Sequence, residues 1–435
     1  MQLSLYEQLT ENTVSPQEKT GVVYTRPWVV DLILDLAGYR LTEDLASTLA
    51  IEPAAGRGAF LLPMIRRLLD SWRRQEQPIS ALAACLRAYE VNSATAAKLT
   101  QAVEAELVGA GIADQDAALL AATWVINADF LLTLHSHAGA DFVIGNPPYI
   151  RYDDVPEGLL ATYKTMYSTM KGRADIYIAF FQAALSQLAE QGVCAFICAD
   201  RWMLNAYGSE LRRFVTRNFG VEAVVEMHNA AAFEDEVSAY PAIVVIRRAV
   251  QGTTIVASAS GQAGPIEGIR LADLLTDVAH GRRNGHVLPG FRATTTDAWF
   301  MGDSPWPCVS PERLALLQRL EGQFLPLEDN ATGTKIGIGV ATGADDVFIT
   351  TDPAVVEPER LVPLAIASDT KKGHLAWSGH YLIDPWEKDG LVNLDRFPKL
   401  AAYFTRATCG VIGLFDILEN ESIFPRLAVQ DRDRG

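Results

Sequence analysis

No apolar stretch in the 435 residues approaches the roughly 20 needed to span a bilayer. The opening Met1-Gln2-Leu3-Ser4-Leu5-Tyr6-Glu7 has no basic segment and no long apolar core, so neither a membrane span nor a secretory leader is expected. Cysteine is scarce. The five residues, at 85, 194, 198, 308 and 409, are an odd, scattered set without a Cys-x-x-Cys pair, which points to reduced thiols in a cytoplasm. Cys194 and Cys198 share one apolar, strand-like run and read as packing. Histidine is sparse too: seven in all, with His135-Ser136-His137 in a loop without supporting ligands, so no metal site is expected. Excess positive charge is also missing. A net charge of −16 argues against a general nucleic-acid coat, because non-specific affinity comes from neutralised phosphates. The acid is uneven, however, since residues 151–250 carry 10 Lys+Arg against 12 Asp+Glu. Arg212, Arg213 and Arg217, then Arg247-Arg248, then Arg282-Arg283 form small basic clusters. They are candidates for phosphate contact beside the plainer reading as solvated helix faces and strand ends.

What is present is a regular alternation over the first 250 residues. Pro27 opens a helix over 27–37 that Gly38 ends. Short strands are expected at 49–51, 86–91, 123–127 and 141–144, with helices at 59–69 and 93–108, the latter capped by Asn92 or Ser93. A helix at 175–190, a strand at 193–197, a helix at 207–218 and strands at 221–227 and 240–247 follow. Strands alternating with helices imply a doubly wound, mostly parallel α/β sheet. In such sheets ligands sit at the carboxyl ends of strands near the topological switch point. Residues 252–268 and 280–291 are rich in Gly, Ser, Thr and Arg and read as loops or a linker. From 292 onward Trp, Pro and Gly rise and the alternation gives way to short strand-like pieces. The expected domains are therefore 1–285 and 286–435.

The chemistry-bearing residues fall where that rule puts a ligand. Asn146-Pro147-Pro148-Tyr149 follows the apolar run Asp141-Phe142-Val143-Ile144-Gly145. An Asn on a proline-stiffened loop can present its side-chain carbonyl, and a rigid backbone carbonyl, to one amino group. The Tyr offers a flat surface for a planar substrate. Methylating a conjugated exocyclic or amide nitrogen requires such acceptors, which localise its lone pair, preorganised where charge develops. Alone, Asn-Pro-Pro is a stiff turn. Upstream, Glu52-Pro53-Ala54-Ala55-Gly56-Arg57-Gly58 lies between the first strand and its helix, where glycines allow tight turning and close backbone approach. Glu52 would repel a pyrophosphate but could receive the ammonium of an amino-acid-like ligand, which points to S-adenosylmethionine rather than a dinucleotide. Glu90, ending the second strand, is placed to accept from two ribose hydroxyls, and Asp129-Phe130, after the third, to bond and stack on an adenine. Any one of these acids alone would read as a helix cap; three at successive strand ends form an ordered set.

In these residues and their order, over 19–249, the chain resembles the gamma-class N6-adenine DNA methyltransferases of bacterial restriction–modification. The resemblance implies a seven-stranded Rossmann-like methyltransferase sheet and S-adenosylmethionine as methyl donor. Its implied cofactor contacts are Thr25, Glu52, Ala54, Gly56, Gly58, Glu90, Asp129, Phe130 and Pro148. Lys19 to Pro27 matches the N-terminal cofactor motif, with Thr25 near the methionine carboxylate. Asn146, Pro147, Pro148 and Tyr149 are implied to be catalytic. Phe233, in Phe233-Glu234-Asp235-Glu236-Val237, would lie against the far face of a flipped base opposite Tyr149, with Tyr240 nearby as the rival aromatic. The resemblance further implies double-stranded DNA as substrate and an irregular α+β target-recognition domain, to which the segment 335–349 is similar. Related enzymes usually continue past Arg432-Asp433-Arg434-Gly435, so that domain is expected to be incomplete and a restriction endonuclease or specificity partner is an expected companion. Two other readings stay open: the same chemistry on a protein glutamine or an RNA base, or a cofactor-binding specificity subunit with little turnover. Asp384-Pro385-Trp386-Glu387-Lys388 has the residue types of a metal-dependent nuclease, but its carboxylates are too compressed for such a site and it reads as a turn.

Overall fold

The computed structural model describes residues 23–407 apart from 76, 134–138, 235–239, 280–287, 298, 308–310, 330, 337–341, 343, 372–373 and 388–389. His135, His137, Arg282, Arg283, Asp235, Glu236, Val237, Lys388, Cys308, Cys409 and the start of the expected N-terminal motif lie outside the described residues. The chain divides into two compact units, Met1–Phe324 and Leu325–Gly435.

In the first unit, β1 (Ala50–Glu52), β2 (Leu86–Glu90), β3 (Val125–Asn127), β4 (Ala140–Gly145), β5 (Leu188–Ala199), β6 (Gly220–Glu226), β7 (Pro241–Arg247), β8 (Thr254–Ala259) and β9 (Phe291–Thr296) form one sheet. Their spatial order is β3-β2-β1-β4-β5-β7-β6-β8-β9. Strands β1 to β5 run parallel, and β7 lies antiparallel between β5 and β6. The chain steps outward from β1 to β3 and returns to β4, so the switch point lies between β1 and β4.

Strand β5 shows why the central strands read as continuous apolar runs. Side chains on a strand point alternately to the two faces, and here each face is covered. Val193, Ala195 and Ile197 enter one buried cluster with Ile144, whereas Cys194, Phe196 and Cys198 enter another with Val143. The cysteines are therefore packing groups, free and buried. On the first face lies α1 (Pro27–Ala37), closed by Gly38 at φ 80°, a left-handed position that favours glycine. Helices α2 (Leu61–Gln75), α3 (Ser93–Gly109) and α4 (Asp114–Trp124) follow. The Asn92 side chain accepts from Thr95 N at 2.9 Å to start α3, as the sequence predicts.

The sheet has nine strands where seven are expected. Strand β8 falls in a segment expected to be a loop, because its Thr, Ser and Ala look like turn composition. It is nonetheless buried, parallel to β6 on one side and antiparallel to β9 on the other. The Thr254 hydroxyl is satisfied by donating to Val221 O at 2.7 Å. After β8, α5 (Pro265–Ala279) brings Gly268 against α1, where a Cβ would stand 3.5 Å from that of Leu32. The expected boundary at 285/286 thus falls between α5 and β9, inside the first unit, which runs to Phe324.

The second unit contains a three-stranded antiparallel sheet of Ile349–Thr350, Tyr381–Ile383 and Leu361–Pro363, a hairpin of Trp386–Glu387 with Gly390–Leu391, and a helix Pro398–Ala407. Phe348, Val356, Leu382, Ile383, Phe397, Leu400 and Phe404 make its core. This is the irregular α+β character the sequence suggests. Trp386 N donates to Asp384 Oδ1 at 3.0 Å, which makes the Asp384-Pro385-Trp386 segment a turn.

Candidate functional site

Four strand ends converge beside the switch point. At the end of β1, Glu52 is 2 % exposed and its Oε2 has no hydrogen-bond partner among the described residues. Burial pushes its carboxyl well above the usual range and the nearby Glu90 adds to this, opposed by a bond from the Leu61 backbone. An unpartnered buried carboxylate oxygen is costly. Gly145, at the end of β4, makes the close approach possible, because a Cβ there would stand 3.3 Å from Pro53 Cδ and 3.6 Å from Glu52 Cγ.

The loop after β1 turns on Gly56 at φ 54° and Gly58 at φ 87°. A side chain at Gly58 would also meet Leu99 Cδ1 at 2.8 Å. The loop is tied to β2, since Gly56 N donates to Glu90 Oε2 at 2.9 Å and Ala55 N to Tyr89 O at 2.8 Å. The other oxygen of Glu90 accepts from Asn92 N at 2.7 Å. Burial nonetheless raises the Glu90 pKa, because desolvation outweighs these bonds. After β3, Asp129 accepts from Leu131 N at 2.8 Å and from the Tyr163 hydroxyl, and burial raises it as well. Phe130 is a correction to the sequence reading. It is 2 % exposed, stacked on Phe180 with centroids 5.7 Å apart and edge-on to Tyr89 at 5.2 Å. It lies beneath the site as packing and presents no open face to a ring.

Beyond β4 the two prolines, lacking N–H groups, cannot continue the ladder, and the chain turns out with Pro147 buried and Asn146, Pro148 and Tyr149 half-buried. Asn146 Nδ2 donates to Val23 O at 3.0 Å and to Thr25 Oγ1 at 3.2 Å. Val23 O can only accept, which fixes the amide with nitrogen toward residues 23–25 and oxygen away from them. That oxygen, Oδ1, is buried and has no partner among the described residues.

The strip 23–26 also holds the loop after β6. Thr25 bridges Phe233, Arg26 N donates to Ala232 O at 2.9 Å, Arg26 Nε to Phe233 O at 2.7 Å, and Glu234 N to Tyr24 O at 3.0 Å. Phe233 thereby meets Tyr149, with ring centroids 6.1 Å apart and planes at 83°. The two rings expected to flank a base are neighbours but perpendicular, and perpendicular rings cannot both lie flat on one planar base. A guest between them requires one to turn.

Thr25 is 3 % exposed and its hydroxyl accepts from Asn146, a contact that could orient the amide. Thr25→Val is expected to slow turnover roughly ten-fold while leaving cofactor affinity within about two-fold. Parallel kcat and equilibrium-dialysis measurements check this, and a loss confined to affinity would return Thr25 to a direct cofactor role. Sequence reasoning did not find the Val23 carbonyl, Arg26, or Tyr163 behind Asp129. Backbone acceptors leave no mark in a residue pattern, although Arg26 beside the helix-opening Pro27 was a usable signal.

Four arginines of the basic clusters have partners within the protein. Arg212, 2 % exposed, donates to Trp202 O, Asn205 O and Asp303 O; Arg213 pairs with Glu210 and Asp303; Arg247 with Glu222; and Arg248 with Glu190. Among the described residues no group of His, Cys, Asp and Glu could hold a metal ion, and no helix is long and apolar enough to cross a membrane.

Residues 76–233 match the family model of the Eco57I restriction-modification methylase. The chain is 38% identical over 393 residues to the type II methyltransferase M.BstVI of Geobacillus stearothermophilus, covering 88% of this chain and 70% of that one. It is 40% identical over 391 residues to M.PaeR7I of Pseudomonas aeruginosa, covering 89% and 66%. Against M.XhoI of Xanthomonas vasicola it is 38% identical over 398 residues, covering 89% and 71%. About a third of each relative therefore has no counterpart in the alignment. Among solved structures, the ATP-dependent type ISP restriction-modification enzyme LlaBIII bound to DNA matches with a TM-score of 0.49 at 14% identity, over 80% of this chain and 26% of that one. With a sheet of this order carrying its strand-end acids and its Asn-Pro-Pro-Tyr turn at the switch point, and with relatives this similar over most of its length, the chain belongs to the type II methyltransferases of restriction–modification systems.

Proposed function

We propose that this protein methylates DNA at the N6 amino group of adenine, taking the methyl group from S-adenosylmethionine. One observation carries the proposal: Asn146 Oδ1, buried and unpartnered, held by two donor contacts on the other end of its amide. Such an acceptor suits a neutral amino group whose proton must be held while its nitrogen attacks. Glu52 Oε2, also buried without a partner among the described residues, lies on the neighbouring strand end and suits the ammonium of the methyl donor. S-adenosylmethionine, when bound, supplies an electrophilic methyl on a sulfonium. Gly56 and Gly58 leave room for a close backbone approach, with Ala54 in the same loop; Glu90 and Asp129 offer further acceptor capacity, and Pro148 stiffens the wall between the two groups.

Asn146 Oδ1 and the Pro147 carbonyl would accept hydrogen bonds from the amino group's two N–H bonds, which restores lone-pair character to the nitrogen. No strong base is required; positioning and preorganised dipoles do the work. An adenine inside a duplex cannot reach a buried amide, so the base leaves the stack and packs on Tyr149, with Phe233 turning to cover its other face. The second unit is proposed to read the DNA sequence, with a restriction endonuclease as companion. Incubation with tritiated S-adenosylmethionine and DNA, RNA or protein in parallel tests the reading. Label should enter DNA and, after hydrolysis, run as N6-methyladenine; label in glutamine or RNA alone would replace DNA as the substrate.

A further inference from the structure

Shortly before Phe233 along the chain lies a cluster that the chemistry above does not use. His228 follows β6 and reaches two carboxylates at once: Nε2 stands 2.8 Å from Asp200 Oδ2, just past β5, and Nδ1 stands 3.0 Å from Glu226 Oε1, the last residue of β6. A neutral imidazole has one donor, whereas two carboxylates facing both ring nitrogens call for two. The Tyr240 ring packs on the imidazole at 4.9 Å and 58°. Tyr240 O also accepts from Asp200 N at 2.9 Å. His228 and Tyr240 are the two ends of the connection from β6 to β7, and Phe233 lies within it. From the clamped end, Ala230 N bonds Met227 O at 3.1 Å and Ala232 N bonds Ala230 O at 2.9 Å, and the next residue is Phe233.

We propose that His228 is a positioning residue for Phe233: by bridging Asp200 and Glu226 it fixes the turn from which that ring reaches Tyr149, and so sets how the substrate ring is received. The inference rests on the functional reading above. The groups facing the imidazole are Asp200 from the turn after β5, Glu226 from β6 and Tyr240 at the start of β7, with Arg201 5.9 Å from the Tyr240 ring. Burial alone would lower the imidazole's pKa; the hydrogen bonds and charges of Asp200 and Glu226 outweigh it and raise it to about 9. The bridge is therefore complete at neutral pH and loses one of its two donors as pH rises through that value.

A double-mutant cycle separates positioning from general stability, because residues acting through one another do not add. Single-turnover methylation of long unmethylated DNA would be measured for the wild type, His228→Gln, Phe233→Ala and the double variant. His228→Gln should slow transfer roughly ten-fold, with S-adenosylmethionine affinity and melting temperature little changed. In the Phe233→Ala background the same change should cost less than about two-fold. The wild-type rate should fall as pH passes about 9, while the slower His228→Gln rate stays level. Equal losses in both backgrounds, or a pH profile shared by the two proteins, would overturn the inference. If His228→Gln does not fold, Asp200→Asn carries the same cycle. A wild type that labels no DNA would defeat the functional reading instead.

Discussion

Replacing Asn146 by alanine should lower methyl transfer on the order of 10³-fold or more, with S-adenosylmethionine binding nearly unchanged. The expectation follows from where the side chain is tied. Its nitrogen bonds Val23 O and Thr25 Oγ1, and only its oxygen is left for a substrate. Truncation removes that acceptor and leaves Glu52, Glu90 and the glycine loop intact. Asn146→Asp separates aim from capacity: an oxygen still faces the substrate, but another now opposes the Val23 carbonyl. Its rate should lie between wild type and Asn146→Ala. Single-turnover kinetics beside calorimetric cofactor titration decide the matter, and parallel loss of binding and transfer in a folded Asn146→Ala protein would contradict the assignment.

Glu52→Gln should do the opposite to binding and to stability. The buried Oε2 has no partner, and desolvation holds the carboxyl well above its usual pKa. A carboxyl protonated more readily folded than unfolded adds stability that is full below the unfolded value and lost as pH rises through the folded one. At neutral pH, above the unfolded value, the empty protein must take up a proton at Glu52 or bury its charge, and either costs stability. A neutral amide should stabilise that protein by roughly 1–3 kcal/mol, read as a higher melting temperature. It should also weaken S-adenosylmethionine binding roughly 100-fold, the loss of a charge-assisted contact. The wild type should release a proton when the ammonium docks, so affinity should rise with pH, and titrations in buffers of different ionisation enthalpy measure that release. A Glu52→Gln protein that binds as well as the wild type would remove Glu52 from the cofactor site.

Much of this was readable because the relevant signals are local. A buried strand ending in two prolines, an acid at each of three strand ends, and a Gly-x-Gly turn each state their geometry within a few residues. The helix at Pro27–Ala37 and the cap at Asn92 were legible for the same reason. What escaped depends on distant partners. Strand β8 hides in Thr, Ser and Ala, and only β6 and β9 on either side make it a strand. Phe130 looked like a stacking surface because sequence shows the ring and not Phe180 already lying on it. The arginine clusters were candidates for phosphate contact beside the plainer reading as solvated faces, and the acidic partner of Arg213, Asp303, lies 90 residues away along the chain. The bridge at His228 joins three elements and leaves no periodic trace.

The strip 23–26 carries a consequence for anyone wishing to redirect such an enzyme. It grips Asn146 through Val23 and Thr25, and it grips the Phe233 loop through Tyr24, Thr25 and Arg26. If the proposed roles of Asn146 and Phe233 hold, base preference and reaction rate are inherited as a single parcel. A loop grafted after β6 to welcome a different nucleobase will drag the amide with it unless its own matching partner for those four residues is transplanted too.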